Sequence, residues 1–521
     1  MREGYADFIR GIDVSTLKMV EELGGTFYEN GVRTDCIQAL TNHGANYCRL
    51  RLWADPFDAA GNPYGGGTND YATTLELARR AVSQGLKFLL DFHYSDFWAD
   101  PGRQLKPKAW TGLNFADLRT MVYNYTKNTM DSLRSEGIIP DAVQVGNEIT
   151  SGMLWDDGRV GSAGHEDFTP LAELLASGIA GVRDSAGTQS RIILHLDNGG
   201  SNSLYRWWFD AVGSVGVSLD YDVIGLSYYP MWHGTLDELQ YNLNDISSRY
   251  DKDVAVMETA YGWTVEDGDG LGSAFSQADA DLVGYPATPQ GQIDFMNDLE
   301  AVILNVPNNR GLGCFYWEPA WLPVQNANWT TAAGQAYIGD TSVPNNSWDN
   351  LTVFDFGGNA LESVRVFNQP NENLISNPSF EDDNSVTAIP SGWQVWGASA
   401  SDYEAVKTEW EGFSGDWKLA FWKDGAYSCS VYQVLSGLEN GVYTASAWIM
   451  SNGGQNVCRL YAKNYGGAER DAVIPTSDVN WNKVVIENIE VTNGQCEIGV
   501  YTEANAGDWL NVDLVMFRKR K

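Results

Sequence analysis

Short apolar runs separated by helix-like segments constrain this chain more than any other feature. Most of the runs are continuously apolar, which is typical of strands buried on both faces. Strands that alternate with helices form parallel βαβ units, and eight of them predict a closed (β/α)₈ TIM barrel. The runs span residues 8–15, 47–53, 87–95, 141–150, 192–199, 223–230, 254–262 and 311–319.

The segments between the runs have helical character. In 115–136, Leu118, Val122, Tyr125 and Leu133 follow a helical period, and Gly137 supplies a C-terminal stop. Segments 34–43, 75–83, 170–183 and 292–304 fit the same pattern.

The pattern changes after Phe367. Residues 368–373 are polar and contain a proline, so they predict a linker. From Leu374 onward, short β-like runs alternate with Gly, Asn and Asp turns, which predicts an all-β antiparallel, jelly-roll-like sandwich. The expected domains are a barrel over 1–368, a linker over 369–373 and a sandwich over 374–521.

Charge and composition exclude several classes of partner. The net charge of −34 disfavours nucleic acid and anionic membranes, which would repel the chain. There is no apolar run of about 18 residues, hence no membrane span, and the first residues lack the apolar core of a secretion signal. We expect a soluble, acidic monomer. The six cysteines lack metal-site spacing, and a Cys458–Cys496 bridge is left open.

Aromatic residues are abundant, with 20 Trp, 25 Tyr and 19 Phe. One interpretation is a large aromatic core. The other is a set of flat platforms on which sugar rings stack. Composition favours neither.

Two glutamates mark a candidate active site. Glu148 lies at the end of the fourth run and Glu258 at the end of the seventh. A single strand-end Glu is more often structural, but a barrel brings the ends of all its strands to one face. Two carboxyl groups across a cleft can cleave a glycosidic bond, and a retaining mechanism needs them about 5–5.5 Å apart.

Other polar residues lie near the same strand ends. Arg49 and Arg51 alternate onto one face of the second strand and can keep a carboxylate ionised. Tyr229, placed on the sixth strand, can donate to the nucleophile. His93 and His195 can bond sugar hydroxyls or orient a carboxyl, and a purely structural role is an equal alternative.

Six stretches give the chain a closer resemblance. Together they resemble glycoside hydrolase family 53, the endo-β-1,4-galactanases of clan A, over residues 8–367. The stretch 91–101, Asp-Phe-His-Tyr-Ser-Asp-Phe-Trp-Ala-Asp-Pro, is highly specific. The other five are 10–15, 49–53, 145–148, 195–199 and 315–321.

The resemblance implies a role for each matching residue. Glu148 would be the acid/base and Glu258 the nucleophile of a retaining enzyme. The implied reaction is endo-hydrolysis of β-1,4-galactan in pectic arabinogalactan, releasing galacto-oligosaccharides. Asn147 would bind the sugar 2-hydroxyl, and Arg49 and Tyr229 would support Glu258. Trp317 would form the floor of the subsite where the bond is cleaved. The side walls of the cleft would be formed by Trp98, Trp263 and Trp321.

A loop after the seventh strand carries alternating carboxylates and glycines. This pattern suits an oxygen-ligated cation such as Ca²⁺, and an acidic flexible loop is the equal alternative. The resemblance implies a structural Ca²⁺ closed by a second segment, with Leu271 where the family commonly has His. The implied ligands are Asp267, Asp269, Leu271, Ser273, Ser347, Asp349 and Asn350.

The C-terminal part is similar to carbohydrate-binding module family 61, which binds β-1,4-galactan. The resemblance is carried by the stretch 373–381, Asn-Leu-Ile-Ser-Asn-Pro-Ser-Phe-Glu, and by Asp513. It implies a second structural Ca²⁺ held by Glu381 and Asp513. Trp396 and Trp422 are the candidate ligand-facing aromatics.

Two other functions stay open on the sequence. Another clan A specificity, for β-mannan, β-glucan or xylan, would share Asn147, Glu148 and Glu258 but not the stretch 91–101. A non-catalytic polysaccharide-binding protein would lack one carboxylate. In each case we expect a secreted or cell-surface protein.

Overall fold

The computed structural model of the protein describes residues 8–368 and 373–520, apart from the side chains of 477–479. The described chain forms two compact units, 8–368 and 373–520. Residues 369–372 of the predicted linker lie outside the described part, as do 1–7 and 521.

The first unit is the predicted barrel, which is confirmed. Its eight strands are β1 Ile9–Asp13, β2 Tyr47–Leu52, β3 Lys87–Phe92, β4 Ala142–Val145, β5 Arg191–Leu196, β6 Val223–Ser227, β7 Asp253–Thr259 and β8 Gly311–Trp317. They close in the order β1-β8-β7-β6-β5-β4-β3-β2, and neighbouring strands are parallel.

Helices surround the barrel. They are α1 Leu17–Glu22, α2 Cys36–Asn42, α3 Tyr71–Ser83, α4 Phe115–Ser135, α5 Thr169–Ala186, α6 Asn202–Ser214, α7 Leu236–Tyr250, α8 Gln277–Val283, α9 Pro289–Leu304 and α10 Ala332–Ile338. Side-chain caps fix several starts, as when Asn114 accepts a hydrogen bond from Asp117 N at α4. Short 3₁₀ segments occur at Lys108–Trp110, Ile149–Ser151, Pro307–Asn309, Asp349–Leu351 and Glu362–Phe367, and two small hairpins pair Phe27–Glu29 with Val32–Thr34 and Gly152–Met153 with Gly158–Arg159.

The barrel interior is layered because side chains alternate along a strand. One buried apolar layer includes Tyr47, Leu89, Ala142, Ile193 and Phe315, each from a different strand. Residues two positions further along point to the same side. On β2, β3, β4 and β5 those residues are polar: Arg49, Asp91, Gln144 and His195. The sequence therefore places an apolar plug beneath a polar layer at the carboxyl ends of the strands.

The second unit is all-β, as predicted. Its strands are β9 Gln394–Gly397, β10 Val406–Trp410, β11 Trp417–Trp422, β12 Tyr427–Ser436, β13 Gly441–Ser451, β14 Val457–Lys463, β15 Arg470–Val473, β16 Ser477–Val491, β17 Gln495–Ala504 and β18 Trp509–Lys519. They form two antiparallel sheets, β9-β12-β17-β14-β15 and β10-β11-β18-β13-β16, with an apolar core between them. A 3₁₀ turn, Ala400–Ala405, interrupts the described β structure.

The structure describes all six cysteines and joins none of them in a disulfide, so Cys458 and Cys496 are not bridged. None of the helices in the described ranges combines the length and the apolar character needed to cross a bilayer.

Barrel closure predicts a strict size limit at Gly11. Gly11 pairs with Phe315 across the β1–β8 seam, and a Cβ there would lie 2.1 Å from the Phe315 ring. We expect Gly11→Ala to lower the free energy of unfolding by about 1–3 kcal/mol, because the packed seam must shift. Denaturant unfolding of the full chain measures this.

The matched control is Gly213→Ala. Gly213 lies exposed in α6, and an added Cβ would meet nothing within 4 Å. Alanine favours the helix, so stability should stay unchanged or rise by up to about 1 kcal/mol. Equal stability of the two variants would contradict the packing argument.

Candidate active site

A cavity of about 410 Å³ lies at the carboxyl ends of the barrel strands. Ten predicted residues line it: Arg49, His93, Trp98, Asn147, Glu148, Tyr229, Glu258, Trp317, Trp321 and Ser347. The fold thus brings Glu148 and Glu258 to one cavity, although they are 110 positions apart in the sequence.

Glu258 is held by a cation and a hydroxyl. Arg49 Nη2 lies 2.9 Å from its Oε1, and the Tyr229 hydroxyl donates to its Oε2 at 3.0 Å. Burial raises the pKa of Glu258, and the neighbouring charges of Asp13 and Asp91 raise it further, whereas Arg49 and Tyr229 oppose the rise. These two partners favour the carboxylate form. Tyr229 itself lies two residues beyond β6 and not on the strand, which corrects its predicted position.

Glu148 has the opposite surroundings. It follows β4 in a left-handed backbone conformation, with φ of 45°, and no cation contacts its carboxyl among the described residues. Burial raises its pKa well above the usual range, and the charges of Glu258 and Asp197 add to the effect. A proton shared by the two glutamates therefore resides on Glu148. A protonated acid facing a paired carboxylate suits acid-assisted nucleophilic displacement.

Asn147 is locked between β2 and the loop after β3. Its Oδ1 accepts from Arg49 Nη2 at 2.8 Å, and its Nδ2 donates to the Ala99 carbonyl at 2.8 Å. The amide orientation is therefore fixed. Nδ2 carries two hydrogens, so one remains available at the cavity.

Both predicted histidines have their ring nitrogens engaged by the protein. His93 Nδ1 accepts from Trp53 Nε1 at 3.1 Å and from Ala99 N at 3.2 Å, so its proton lies on Nε2, facing Asp91 at 3.1 Å. His195 is fully buried and does not line the cavity. Of the two predicted roles, these contacts fit orientation of neighbouring groups and leave no ring nitrogen for a sugar hydroxyl.

Three of the four predicted tryptophans form one side of the cavity. The Trp98 ring lies 6.1 Å from Trp317 and 6.5 Å from Trp321, centroid to centroid. The Arg51 guanidinium lies 4.3 Å from the centroid of Trp98. Trp263 lies elsewhere, because the loop after β7 turns its ring against Phe356 at 5.0 Å, and it does not line the cavity.

Sequence reasoning missed several residues that line the cavity. Trp232 is 50% exposed and packs against Tyr229 and Trp348. Trp348 also meets Trp317 edge-on at 4.6 Å. Its position between Ser347 and Asp349, both predicted metal ligands, was a usable signal. The others missed are Arg51 as a lining residue, Ala99, Asp100, Pro101, Arg103, Asp197, His233 and Trp329.

The acidic loop after β7 folds against the second predicted segment. Carboxylate oxygens of Asp267, Asp269 and Asp349 all lie within 4.8 Å of one another. Burial raises the pKa of Asp349 to about 6, and the charges of Asp269 and Asp267 contribute. Three converging carboxylates, of which Asp349 is repelled by the charges of the other two, fit a divalent, oxygen-seeking cation.

The other predicted ligands, in this loop and in the second segment, form hydrogen bonds within the protein. Ser273 Oγ donates to Asp349 Oδ1 at 3.0 Å, and the Leu271 carbonyl accepts from Asn345. The Ser347 carbonyl accepts from Ala274 N. Asn350 Nδ2 donates to the Phe275 carbonyl, whereas Asn350 Oδ1 is buried without a hydrogen-bond partner among the described residues.

In the second unit, the two predicted tryptophans lie on different sheets. Trp396, on β9, lines a groove of about 360 Å³ together with Tyr432, Arg459, Tyr461 and Tyr501. Trp422, at the end of β11, is 46% exposed and does not line that groove.

The two predicted module ligands are already bonded to backbone. Glu381 Oε1 accepts from Trp417 N at 2.8 Å, and Asp513 Oδ2 accepts from Phe413 N and Ser414 N at 2.6 and 2.8 Å. Burial raises the pKa of Asp513 well above its usual range, and the charge of Glu381 adds to the effect.

Comparison with known proteins places the barrel in a family. The profile of glycosyl hydrolase family 53 matches residues 9–367. The endo-β-1,4-galactanase of Bacillus subtilis (strain 168) is 39% identical over 69% of this chain and 85% of its own length. The solved GH53 catalytic domain of Ignisphaera aggregans is 41% identical, covers 69% of this chain and 95% of its own, and has a TM-score of 0.64.

The second unit also has a solved relative. TmCBM61, determined in complex with β-1,4-galactotriose, is 30% identical, covers 28% of this chain and 99% of its own, and has a TM-score of 0.25. With the profile match over the whole barrel and the identities above, the chain belongs to glycosyl hydrolase family 53.

Proposed function

We propose that this protein is an endo-β-1,4-galactanase that hydrolyses galactan, including the galactan side chains of pectic arabinogalactan, to galacto-oligosaccharides. The observation that carries the proposal is the shared cavity of Glu148 and Glu258, in which, among the described residues, a cation pairs with Glu258 and none pairs with Glu148. Relatives across the same region are named endo-β-1,4-galactanase and arabinogalactan endo-β-1,4-galactanase. A polymeric plant cell-wall substrate implies that the enzyme acts outside the cell.

The two glutamates support a retaining double displacement. In the first step a Glu258 oxygen attacks the anomeric carbon, while Glu148 gives its proton to the leaving glycosidic oxygen. The glycosidic bond breaks and a galactosyl ester forms on Glu258. In the second step Glu148, now a carboxylate, takes a proton from water as the water oxygen attacks the anomeric carbon and releases Glu258.

The remaining lining residues have positioning roles in this scheme. Asn147, fixed by Arg49 and Ala99, would hold the sugar 2-hydroxyl with its second N–H. Trp317 would floor the cleaved subsite, and Trp98 and Trp321 would stack on neighbouring sugar rings. Aromatic rings from several loops suit an open cleft that accepts the interior of a chain, which favours endo action.

We further propose a structural Ca²⁺ in the barrel unit. Asp267, Asp269 and Asp349 would hold it, and carbonyl or hydroxyl oxygens from Leu271, Ser273, Ser347 and Asn350 are nearby candidates. The ion would neutralise three converging carboxylates and tie the loop after β7 to the segment that carries Trp348. It takes no part in bond cleavage. Glu381 and Asp513 are candidates for a second Ca²⁺ in the β-sandwich.

The β-sandwich supports a galactan-binding role. In its groove, Trp396 is 45% exposed and its ring lies 6.4 Å from that of Tyr501, which gives an aromatic wall. Glu497 is 8% exposed and bonds Tyr461, so a charged acceptor is held at the groove. Aromatic rings beside fixed polar groups are what sugar recognition requires.

Removing either glutamate tests the activity itself. Glu148→Ala and Glu258→Ala should each lose at least about a hundredfold in kcat/KM on galactan, because each lacks an obligatory group. The release of reducing ends over time, with β-mannan, β-glucan and xylan in parallel, measures activity and specificity together.

The roles of the two glutamates are separated with azide and an activated aryl galacto-oligosaccharide. Glu148→Ala should yield a β-galactosyl azide, since the ester on Glu258 still forms, whereas Glu258→Ala should yield the α product. Wild-type turnover by either variant, or preference for another polymer, would contradict the proposal.

Calcium binding is tested by calorimetric titration with CaCl₂. Asp269→Asn should bind one Ca²⁺ fewer than the wild type, because a carboxylate of the three-acid cluster is lost. The matched control is Asp281→Asn, an exposed acid on α8 that should leave the stoichiometry unchanged. Equal stoichiometry in all three proteins would exclude an ion at this cluster.

The groove is tested by a pair of equally exposed tryptophans in the Glu258→Ala background, where galactan is not consumed. Trp396→Ala should weaken galactan binding about threefold to tenfold, the loss expected for one aromatic platform. Trp422→Ala is the control, since it is equally exposed but outside the groove. Affinity electrophoresis in galactan gels measures the galactan affinity of both variants. A larger loss of affinity in Trp422→Ala than in Trp396→Ala would place the binding site at Trp422 and contradict the groove.

A further inference from the structure

Glu318 is a buried carboxylate at the active-site end of the barrel that the two-glutamate mechanism does not use. It directly follows β8, within the stretch 315–321, and its side chain is 0% exposed. Its φ of 52° lies in the left-handed region, which is costly for a residue with a side chain and persists where neighbouring contacts enforce it. A buried acid held in this conformation indicates a role in organising its surroundings.

Donors from two other parts of the barrel mouth hold the Glu318 carboxylate. Arg51 Nη1 donates to its Oε1 at 2.6 Å, and the Thr16 hydroxyl donates to its Oε2 at 2.5 Å. The backbone N–H of Thr16, at the start of α1, lies 3.1 and 3.3 Å from the two oxygens. Burial raises the pKa of Glu318 to about 7, and these donors oppose the rise. They therefore favour the carboxylate form, which pairs with Arg51.

The Arg51 guanidinium connects this carboxylate to the tryptophan side of the cavity. Its side chain is 1% exposed, and its Nη2 donates to the Gly66 carbonyl, in the loop after β2, at 2.7 Å. Its Nε has no hydrogen-bond partner among the described residues. The guanidinium lies over the Trp98 ring, 4.3 Å from the centroid, where a cation is attracted to the π electrons. Glu318 and Gly66 thus fix a cation against Trp98.

Trp98 is held on its other sides by backbone. Its Nε1 donates to the Trp329 carbonyl at 3.0 Å. A Cβ on Gly66 would lie 2.6 Å from its Cζ2 atom, so the backbone of the loop after β2 packs directly against the ring. Of the contacts that seat this ring, the one with Arg51 depends on a charged side chain, and a change in the guanidinium position therefore changes the ring position.

We propose that Glu318 is a positioning residue for substrate binding: through the Arg51 guanidinium it holds the Trp98 ring where a sugar unit stacks. The inference rests on the proposed function, in which Trp98 stacks on a sugar ring. Among the described residues, the hydrogen bonds of the Glu318 carboxylate go to Thr16 and Arg51 and not to either catalytic glutamate. Glu318 therefore acts on the binding of galactan and not on bond cleavage.

The test is the separation of KM from kcat on a soluble galacto-oligosaccharide. Glu318→Gln keeps the shape of the side chain and removes the charge that fixes Arg51. KM should rise about threefold to tenfold, with kcat within about twofold of the wild type, because the lost contact stabilises the bound substrate and the transition state alike. A purely structural defect gives another result, since a smaller fraction of folded enzyme lowers the apparent kcat and leaves KM unchanged.

Arg51→Lys tests the same contact from the other side of the ion pair. Lysine keeps a positive charge opposite Glu318 but lacks the flat guanidinium that lies over Trp98. KM should rise to a similar extent, again with little change in kcat. Because the buried charge is retained, this variant also carries the test if Glu318→Gln does not fold.

A double-mutant cycle shows whether Glu318 acts through the ring. Trp98→Ala should raise KM by itself, since the platform is lost. Adding Glu318→Gln to Trp98→Ala should raise KM no further, because two changes that act through one contact are not additive. Independent effects would multiply the two increases in KM.

The matched control is Asp245→Asn. Asp245, on α7, forms an ion pair with Arg206 on α6, and neither residue lines the cavity. The variant also removes one carboxylate from an arginine partner, so it controls for the loss of an ion pair elsewhere in the barrel unit. Its KM should equal that of the wild type.

Three results would overturn the inference. The first is an unchanged KM in folded Glu318→Gln, or in Arg51→Lys if Glu318→Gln does not fold. The second is a pair of KM increases that multiply in the double variant, and the third is an equal rise of KM in Asp245→Asn. In each of these cases the wild type still hydrolyses galactan. If the proposed function fails, the wild type itself releases no reducing ends from galactan.

Discussion

The buried Arg49 guanidinium organises this active site. The Arg49 guanidinium is 1% exposed and contacts side chains from four other strands or their loops, so it joins most of the barrel mouth. Two of its neighbours are the structural carboxylates Asp13 and Asp91. Loss of Arg49 would leave buried charges uncompensated, which is costly in a low-dielectric interior. Its partners are Asp13, Asp91, Gln144, Asn147 and Glu258.

The two glutamates differ because the cation reaches only one of them. Glu258 lies 2.9 Å from Arg49 and accepts a hydrogen bond from Tyr229, whereas Glu148 faces other acids. The chemical asymmetry required for acid and nucleophile therefore follows from side-chain placement in one polar layer. The apolar layer beneath it, with Phe315 against Gly11, keeps the strands in the register that this placement needs.

The strands and the barrel could be predicted from the sequence because continuous apolar runs and helical periods are local signals. Glu148 and Glu258 could be predicted as neighbours, because barrel topology brings strand ends together wherever they lie in the chain. Loop residues were harder: Trp263 turns toward Phe356 and Trp232 toward the cavity, and no local pattern distinguishes the two. In the β-sandwich, Trp396 and Trp422 are equally exposed, and only the pairing of strands shows which one borders a groove.

The depth of the Arg49 cluster has a consequence for the protein in solution. Dissolved ions screen charges that face water, but they penetrate little to a guanidinium and carboxylates that are 0–9% exposed. Ionic strength should thus alter how this chain, with a net charge of −34, meets surfaces and other macromolecules, and leave the bond-breaking step nearly untouched. Colloidal behaviour and turnover are separate properties. The charges of the exposed side chains can therefore be changed without altering the electrostatics of the catalytic groups.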